Sequence, residues 1–352
     1  MKINKKILCV ILTVVLMLLT VSCSSPMPLK LLETGAEQFA AGKTEKDYHL
    51  RMSDELLAEL IQKYSDGVSP PDIHEMTDEE IKQWEPDPTP PKKTDSVDLL
   101  QTDANGNYLV RNMEDVYNCL NFALSNTLTT VSFTAVDGFD PNFMNYTDDD
   151  WYRLYEDLER RDPVGTIGRA GFWFGRTGHT YLTTITYTMG IEELKNNKAK
   201  TEALVDEAIS KMNVQGKSEY EIVYAVNQYL CDNVYYPDKP YPAVSHMAFG
   251  ALKNGCAVCE GYTAAAALIL PKLGVDCDMQ FGFVKGVKKE NGYHVWNLVK
   301  IEGQWYQLDI TWNDAEGNYA NQYFLVTDEY MRETRTWDEN AYPHSAKTPY
   351  RP

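Results

Sequence analysis

A chain of 352 residues, 43% of them apolar, can bury two modest cores, or one core with long additions. Its formal net charge of −18 disfavours nucleic acid and anionic membrane surfaces, since like charges repel, and fits solubility outside a cell. Five cysteines remain beyond Cys9 and Cys23, an odd number that argues against a disulfide scaffold and fits one reactive thiol among buried ones.

Lys2, Lys5 and Lys6 precede an apolar run over residues 7–21 and then Ser22-Cys23. This is the pattern of a secretory leader, too short and wrongly flanked for an ordinary membrane span. Thr20-Val21-Ser22-Cys23 resembles a bacterial lipobox, although Thr20 stands where a larger aliphatic residue is usual. The resemblance implies that residues 1–22 are a signal peptide, with cleavage before Cys23 and a lipid on its sulfur. The chain is then expected to be extracytoplasmic, held to the bacterial cell membrane by that lipid. Residues 23–95 read as a spacer, with helices expected over 46–64 and 78–84 and a stiff W-E-P-D-P-T-P-P-K-K stretch near its end.

Residues 96–213 read as a smaller α/β unit, with helices over 113–125, 148–161 and 191–212 and strands over 129–135 and 180–189. The G-F-W-F-G stretch at 171–175 and His179 are expected to pack beside a strand rather than to form a ligand platform. No recognisable site lies in this unit.

Residues 214–335 carry the chemistry. Ser218 caps a helix over 218–234 with Glu221 completing a capping box, and a proline- and tyrosine-rich loop over 235–245 leads to His246. Cys259 stands between Gly255 and Gly261 at the start of an alanine-rich helix over 262–273, with Gly274 as its cap and Pro271 disturbing its last turn. In a first turn, the partial positive charge of unpaired N–H groups favours a thiolate. Strands follow over 275–284, 293–301 and 304–312, the last two joined by Glu302-Gly303. A two-residue turn sets Ile301 opposite Gln304, so that His294 and Asp309 become diagonal neighbours on one face; a three-residue turn would separate them. Cysteine, histidine and aspartate in that order read as nucleophile, base and orienter. A last strand is expected over 323–326, and residues 336–352 as a polar, peripheral tail.

The segments A-F-G-A-L-K-N-G-C-A-V-C-E-G-Y (248–262), H-V-W-N (294–297) and D-I-T-W (309–312) resemble the bacterial transglutaminase-like superfamily, relatives of papain-type cysteine peptidases. The resemblance covers roughly residues 218–312. It implies an α+β fold whose papain/transglutaminase-like core packs the helix bearing the cysteine on an antiparallel sheet bearing the histidine and aspartate. Carried over residue by residue, it makes Cys259 the nucleophile, His294 the general base and acid, and Asp309 the group that orients the imidazole. The expected activity is acyl transfer on peptide or protein amides, a cell-wall peptide among the candidate substrates, with hydrolysis preferred. Protein crosslinking through the same triad is the alternative, and a non-catalytic surface binding module is the rival from another class. No metal or organic cofactor is called for.

Around the triad, His246 either lines the cleft or packs, Gly261 and Tyr262 support the helix start, and Trp296 and Trp312 either shield the ion pair or belong to the core. The Cys259 N–H is an expected oxyanion donor; no glutamine stands shortly before it to supply the second. Cys256 stands where a non-cysteine is usual, making a C-x-x-C. A zinc site lacks a second ligand pair, a redox pair lacks its βαβ context, and a disulfide that blocks the nucleophile is a third possibility.

Overall fold

The structure is a computed structural model that describes residues 72–75, 100–164, 171–239, 241–287, 292–314 and 321–350, the first of these and positions 144, 148 and 149 as backbone only. The leader and the helices expected over 46–64 and 78–84 lie outside the described residues.

Among the described residues the strands form two five-stranded sheets. The first contains β1 (Asp72–Glu75), β2 (Tyr108–Val110), β3 (Thr130–Ala135), β4 (Gly171–Thr177) and β5 (Thr180–Thr186) in the order β1-β4-β5-β3-β2. β1 runs parallel to β4 and β2 parallel to β3; the central pairs are antiparallel. Alternation in T-V-S-F-T-A sends Val131, Phe133 and Ala135 inward. The G-F-W-F-G stretch is itself the start of β4, and its Phe172 and Phe174 enter the core. Two helices pack with this sheet, α1 (Met113–Ser125), whose Asn112 cap accepts from Asp115 N, and α2 (Asp148–Arg161).

α3 (Ile191–Met212) ends the α/β unit by sequence, yet it also reaches the module that follows. Its Leu194 packs with Met247 and Phe249, and its Glu202 and Asp206 receive Lys272 from the helix that starts at Cys259. α4 (Glu219–Asn233) begins with the Ser218–Glu221 capping box.

The second sheet is antiparallel throughout, in the order β10-β6-β7-β8-β9, from β6 (Cys277–Val284), β7 (Tyr293–Ile301), β8 (Gln304–Leu308), β9 (Phe324–Val326) and β10 (Arg335–Thr336). α5 (Cys259–Lys272) packs on it: Thr263 Oγ1 donates to Val295 O at 3.2 Å, and Asn297 Nδ2 to Thr263 O at 3.1 Å. Every residue from Cys259 to Ala266 is buried, so α5 is a central helix covered all round rather than one with a single apolar stripe. β7 is covered on both faces too, which explains its near-continuous apolar sequence. The molecule is mixed α+β, with helices packed on sheets.

Glu302 and Gly303 both have positive φ, 51° and 80°, as the tightest hairpin turns require. Ile301 therefore faces Gln304 and Asn297 faces Leu308. The strand expected over 304–312 stops at Leu308. Asp309 caps a short helix, α6 (Ile310–Asn313), its Oδ1 accepting from Trp312 N at 3.1 Å, and this turns the chain out of the ladder.

The tail expected to be peripheral is packed instead. Tyr342 is buried with its hydroxyl accepting from Phe281 N, Ala346 N donates to Trp305 O, and Tyr350 N donates to Leu325 O. Aromatic residues spaced through a polar run bury area here without any regular periodicity. Another short helix, α7 (Asp328–Met331), leads into β10.

Candidate active site

Cys259 is the first residue of α5. Val258 before it is extended and offers no side-chain cap, so the first-turn N–H groups keep their partial positive charge around the thiol. Three backbone bonds hold the approach to this turn: Tyr235 N to Gly255 O, Ala257 N to Tyr235 O and Val258 N to Ser245 O, at 2.9, 3.2 and 2.9 Å. Gly261 permits the last of these contacts. A Cβ there would lie 2.4 Å from Ser245 O, so only glycine lets the 243–246 turn approach the helix this closely.

His294 lies on β7, next to the Val295 carbonyl that receives Thr263, one turn along α5 from Cys259. Its Nε2 lies 2.8 Å from Asp309 Oδ2, and its Nδ1 is buried with no hydrogen-bond partner. The same Asp309 oxygen receives Nη2 of Arg335 from β10. Cys259, His294, Asp309 and Arg335 are each 0% exposed. Burial alone would push the Asp309 carboxyl up, but the charges of His294 and Arg335 bring it below the ordinary carboxylate range. A second aspartate oxygen spent on the Trp312 N–H locks the carboxylate in place.

Aromatic rings close the pair off from water. Trp296 stacks on His294 at 5.8 Å and donates its indole N–H to Gln307 Oε1 at 2.6 Å; Trp312 lies 5.9 Å from the same imidazole. The Arg335 guanidinium sits 4.0 Å from the Trp312 ring and 4.4 Å from Tyr323, so the cation is held between π faces. Tyr262 has another task. Its hydroxyl lies 3.0 Å from Val234 O and 2.5 Å from Asp314 Oδ2, bracing α5 against the end of α4.

The thiol itself turns elsewhere. Cys259 Sγ donates to Glu260 Oε2 at 3.1 Å, and Glu260 Oε1 lies 3.3 Å from His246 Nδ1. His246 is thereby tied to the Cys259 thiol through Glu260. Glu260 and His246 are both buried. Burial would raise the Glu260 carboxyl, yet the His246 charge and hydrogen bond, with that of Cys259, hold it well below the usual range. No disulfide joins Cys256 and Cys259, and both are buried.

α2 of the first sheet's unit lies against this region. Tyr152 stacks on Tyr293 at 5.4 Å and meets Phe283 edge-on at 5.1 Å, and Arg160 makes a two-point pair with Asp278 at 3.0 and 2.5 Å. Glu159 of α2 has a buried Oε2 without a hydrogen-bond partner; burial and the charges of Glu260 and Glu156 push its carboxyl well up. A cavity of about 480 Å³ opens between α2, β6 and β10, lined by Tyr152, Glu156, Phe281, Phe283 and Trp337. Its Gly282 wall is the ladder partner of His294.

Sequence reasoning missed Arg335, Glu260 and the docking of α2, whose helix it expected over 148–161. Arg335 stands in a polar run with no local pattern to mark it, 26 residues from Asp309. Glu260 carries the one available signal, adjacency to the nucleophile. Among the described residues no group of three or more His, Cys, Asp or Glu side chains is placed to hold a metal ion, and no helix is long and apolar enough to cross a membrane.

Comparison with known proteins places the match where the site lies. The chain is 26% identical over 121 residues to the kyphoscoliosis peptidases of Mus musculus and Homo sapiens, an alignment covering 32% of this chain and 18% of each relative. The chain thus spans less than a fifth of the length of these curated relatives. A solved TGase structure aligns over 58% of both chains at 16% identity, with a TM-score of 0.28. A model of the transglutaminase-like superfamily matches residues 207–310, from the end of α3 through Asp309 to Ile310. The chain therefore carries a transglutaminase-like domain over residues 207–310.

Proposed function

We propose that the chain is a cysteine-dependent acyl-transfer enzyme that acts on peptide or protein amides through Cys259, His294 and Asp309, with water as acceptor. The carrying observation is the buried 2.8 Å contact of His294 Nε2 with Asp309, which leaves Nδ1, without a hydrogen-bond partner, as the position that can take a proton. In this reading Cys259 gives its proton to His294 Nδ1 and the thiolate attacks the amide carbonyl. The carbonyl oxygen takes up charge beside the first-turn N–H groups of α5. As the tetrahedral intermediate collapses, the imidazolium returns the proton to the leaving amine, and Asp309 keeps its tautomer and balances its charge. Water then attacks the thioester while His294 accepts its proton, freeing the thiol.

The relatives are named kyphoscoliosis peptidases, and that agrees with hydrolysis. Cys259 has no exposed surface, so substrate entry requires the covering side chains to move. The test incubates the full-length chain with a mixture of protein and cell-wall peptides, with and without a primary amine, followed by mass spectrometry. Cleaved products that are absent with Cys259→Ala support the reading. Amine-linked products in place of cleaved ones would make it a transglutaminase, and no turnover of any amide would favour a binding module. Display outside the cytoplasm through a lipid on Cys23 is part of the same proposal; failure of fatty-acid label to follow Cys23 in a bacterial host would remove it.

A further inference from the structure

The Cys259 thiol donates its hydrogen bond to Glu260 in this structure, while His294 Nδ1 is buried without a hydrogen-bond partner. Glu260 is buried directly beside the nucleophile, a costly place for a carboxylate unless its charge is balanced. The neighbour placed to balance it is His246, 3.3 Å from the other carboxylate oxygen, on a turn that reaches the helix only because residue 261 is glycine. Tyr241 sets its ring edge toward that imidazole at 6.4 Å. The described residues thus hold two buried histidine–carboxylate pairs, His246 with Glu260 and His294 with Asp309, and a single acyl-transfer triad accounts for only one of them.

We propose that Glu260, paired with His246, is the resting-state hydrogen-bond acceptor of the Cys259 thiol, and that the nucleophile is armed when Sγ turns from Glu260 to His294 Nδ1. This rests on the acyl-transfer reading and adds the regulation of its first step. On arming, the S–H bond breaks, an N–H bond forms on His294 Nδ1, and the electron pair stays on sulfur; Glu260 remains a carboxylate throughout and nothing is oxidised. A fixed negative charge beside the sulfur disfavours the thiolate, so Glu260 keeps the unliganded thiol protonated and unreactive toward adventitious electrophiles. A substrate that displaces the thiol from Glu260 releases it to the base. The groups that face Glu260 are Cys259 on its own helix, His246 from the preceding turn, Glu159 from α2 and Tyr293 from β7. Only His246 among them can supply a positive charge. Burial would raise the Glu260 carboxyl and the His246 charge brings it below the usual range, which agrees with that role.

The experiment measures the rate of iodoacetamide labelling at Cys259 against pH in the full-length chain, read by peptide mass mapping so that the other cysteines do not interfere. Glu260→Gln is expected to move the midpoint down by about one unit, which makes labelling about tenfold faster at pH values below both midpoints. Glu260→Asp, which keeps the charge, should keep the wild-type midpoint. His246→Gln acts from the far side: without its cation the buried Glu260 takes up a proton, and the midpoint shifts in the same direction. This second variant decides the matter if Glu260→Gln does not fold. A midpoint indifferent to both substitutions, or one that rises, overturns the proposal while leaving the triad intact. A wild-type chain in which Cys259 is never labelled overturns the acyl-transfer reading itself.

Discussion

Arg335 shows how much of the site rests on one side chain outside the cysteine, histidine and aspartate. It is completely buried, shares an Asp309 oxygen with His294, and is held between Trp312 and Tyr323. A lone imidazole would have to carry the whole countercharge of a carboxylate removed from water; the guanidinium divides that load without competing for protons. Truncating one partner of such a pair leaves an uncompensated charge in the interior. Arg335→Met is therefore expected to cost roughly 3–5 kcal/mol of stability in denaturant unfolding, as for other broken buried pairs. A loss within about 1 kcal/mol, the value of a surface pair, would contradict this account of Arg335.

Among the elements, the hairpin from β7 to β8 was legible because two constraints coincide. Side-chain parity demands one register, and Glu302-Gly303 is a pair that tolerates the left-handed conformation at both positions. The same reasoning overran at Asp309, where a helix cap competes with the ladder and wins, because the Asp309 side chain accepts the Trp312 N–H. α2 was legible as a helix over 148–161, but its destination was not. Nothing local marks Glu156 and Glu159 as covered, and residues that meet α2, such as Asp278 and Tyr293, lie more than a hundred positions along the chain. The docking has a pH consequence. Glu156 is pushed up to about 8, first by burial and then by Asp157, so the folded state holds it neutral where the unfolded chain would ionise near 4.5. A carboxyl raised in this way contributes stability that is fully present below about 4.5 and is lost as pH rises through about 8. Glu156→Gln, an isostere of the neutral acid, should match wild type in thermal unfolding at pH 4.5. Above pH 8 it should be more stable by roughly 1–3 kcal/mol, a range discounted for partial exposure. An equal difference at both pH values would mean that Glu156 is not held neutral by this packing.

At the scale of the whole molecule, composition and charge set the class, and three short motifs located the chemistry within residues 248–312. What they could not convey is enclosure. The chain past Arg335, expected to be a loose tail, covers β6 and β8 through Tyr342 and Ala346, and a helix of the first sheet's unit leans on the strands beside His294. Such long-range contacts carry no local periodicity, so no pattern within one segment announces them. The result is that Cys259 and His294 have no exposed surface, Cys259 beside Glu260 and His246, and His294 beside Asp309 and Arg335.

The central claim is that His294 activates Cys259. The most direct measurement is labelling of the full-length chain with a peptide-like electrophile, comparing wild type with Cys259→Ala and His294→Ala. Stoichiometric labelling at Cys259 is expected in wild type, with none in Cys259→Ala and at least a hundredfold slower labelling in His294→Ala, in keeping with roughly 10²–10⁴ for a positioned general base. Labelling at Cys259 that proceeds at the same rate without His294 would contradict the account, because the thiol would then owe nothing to the histidine beside Asp309.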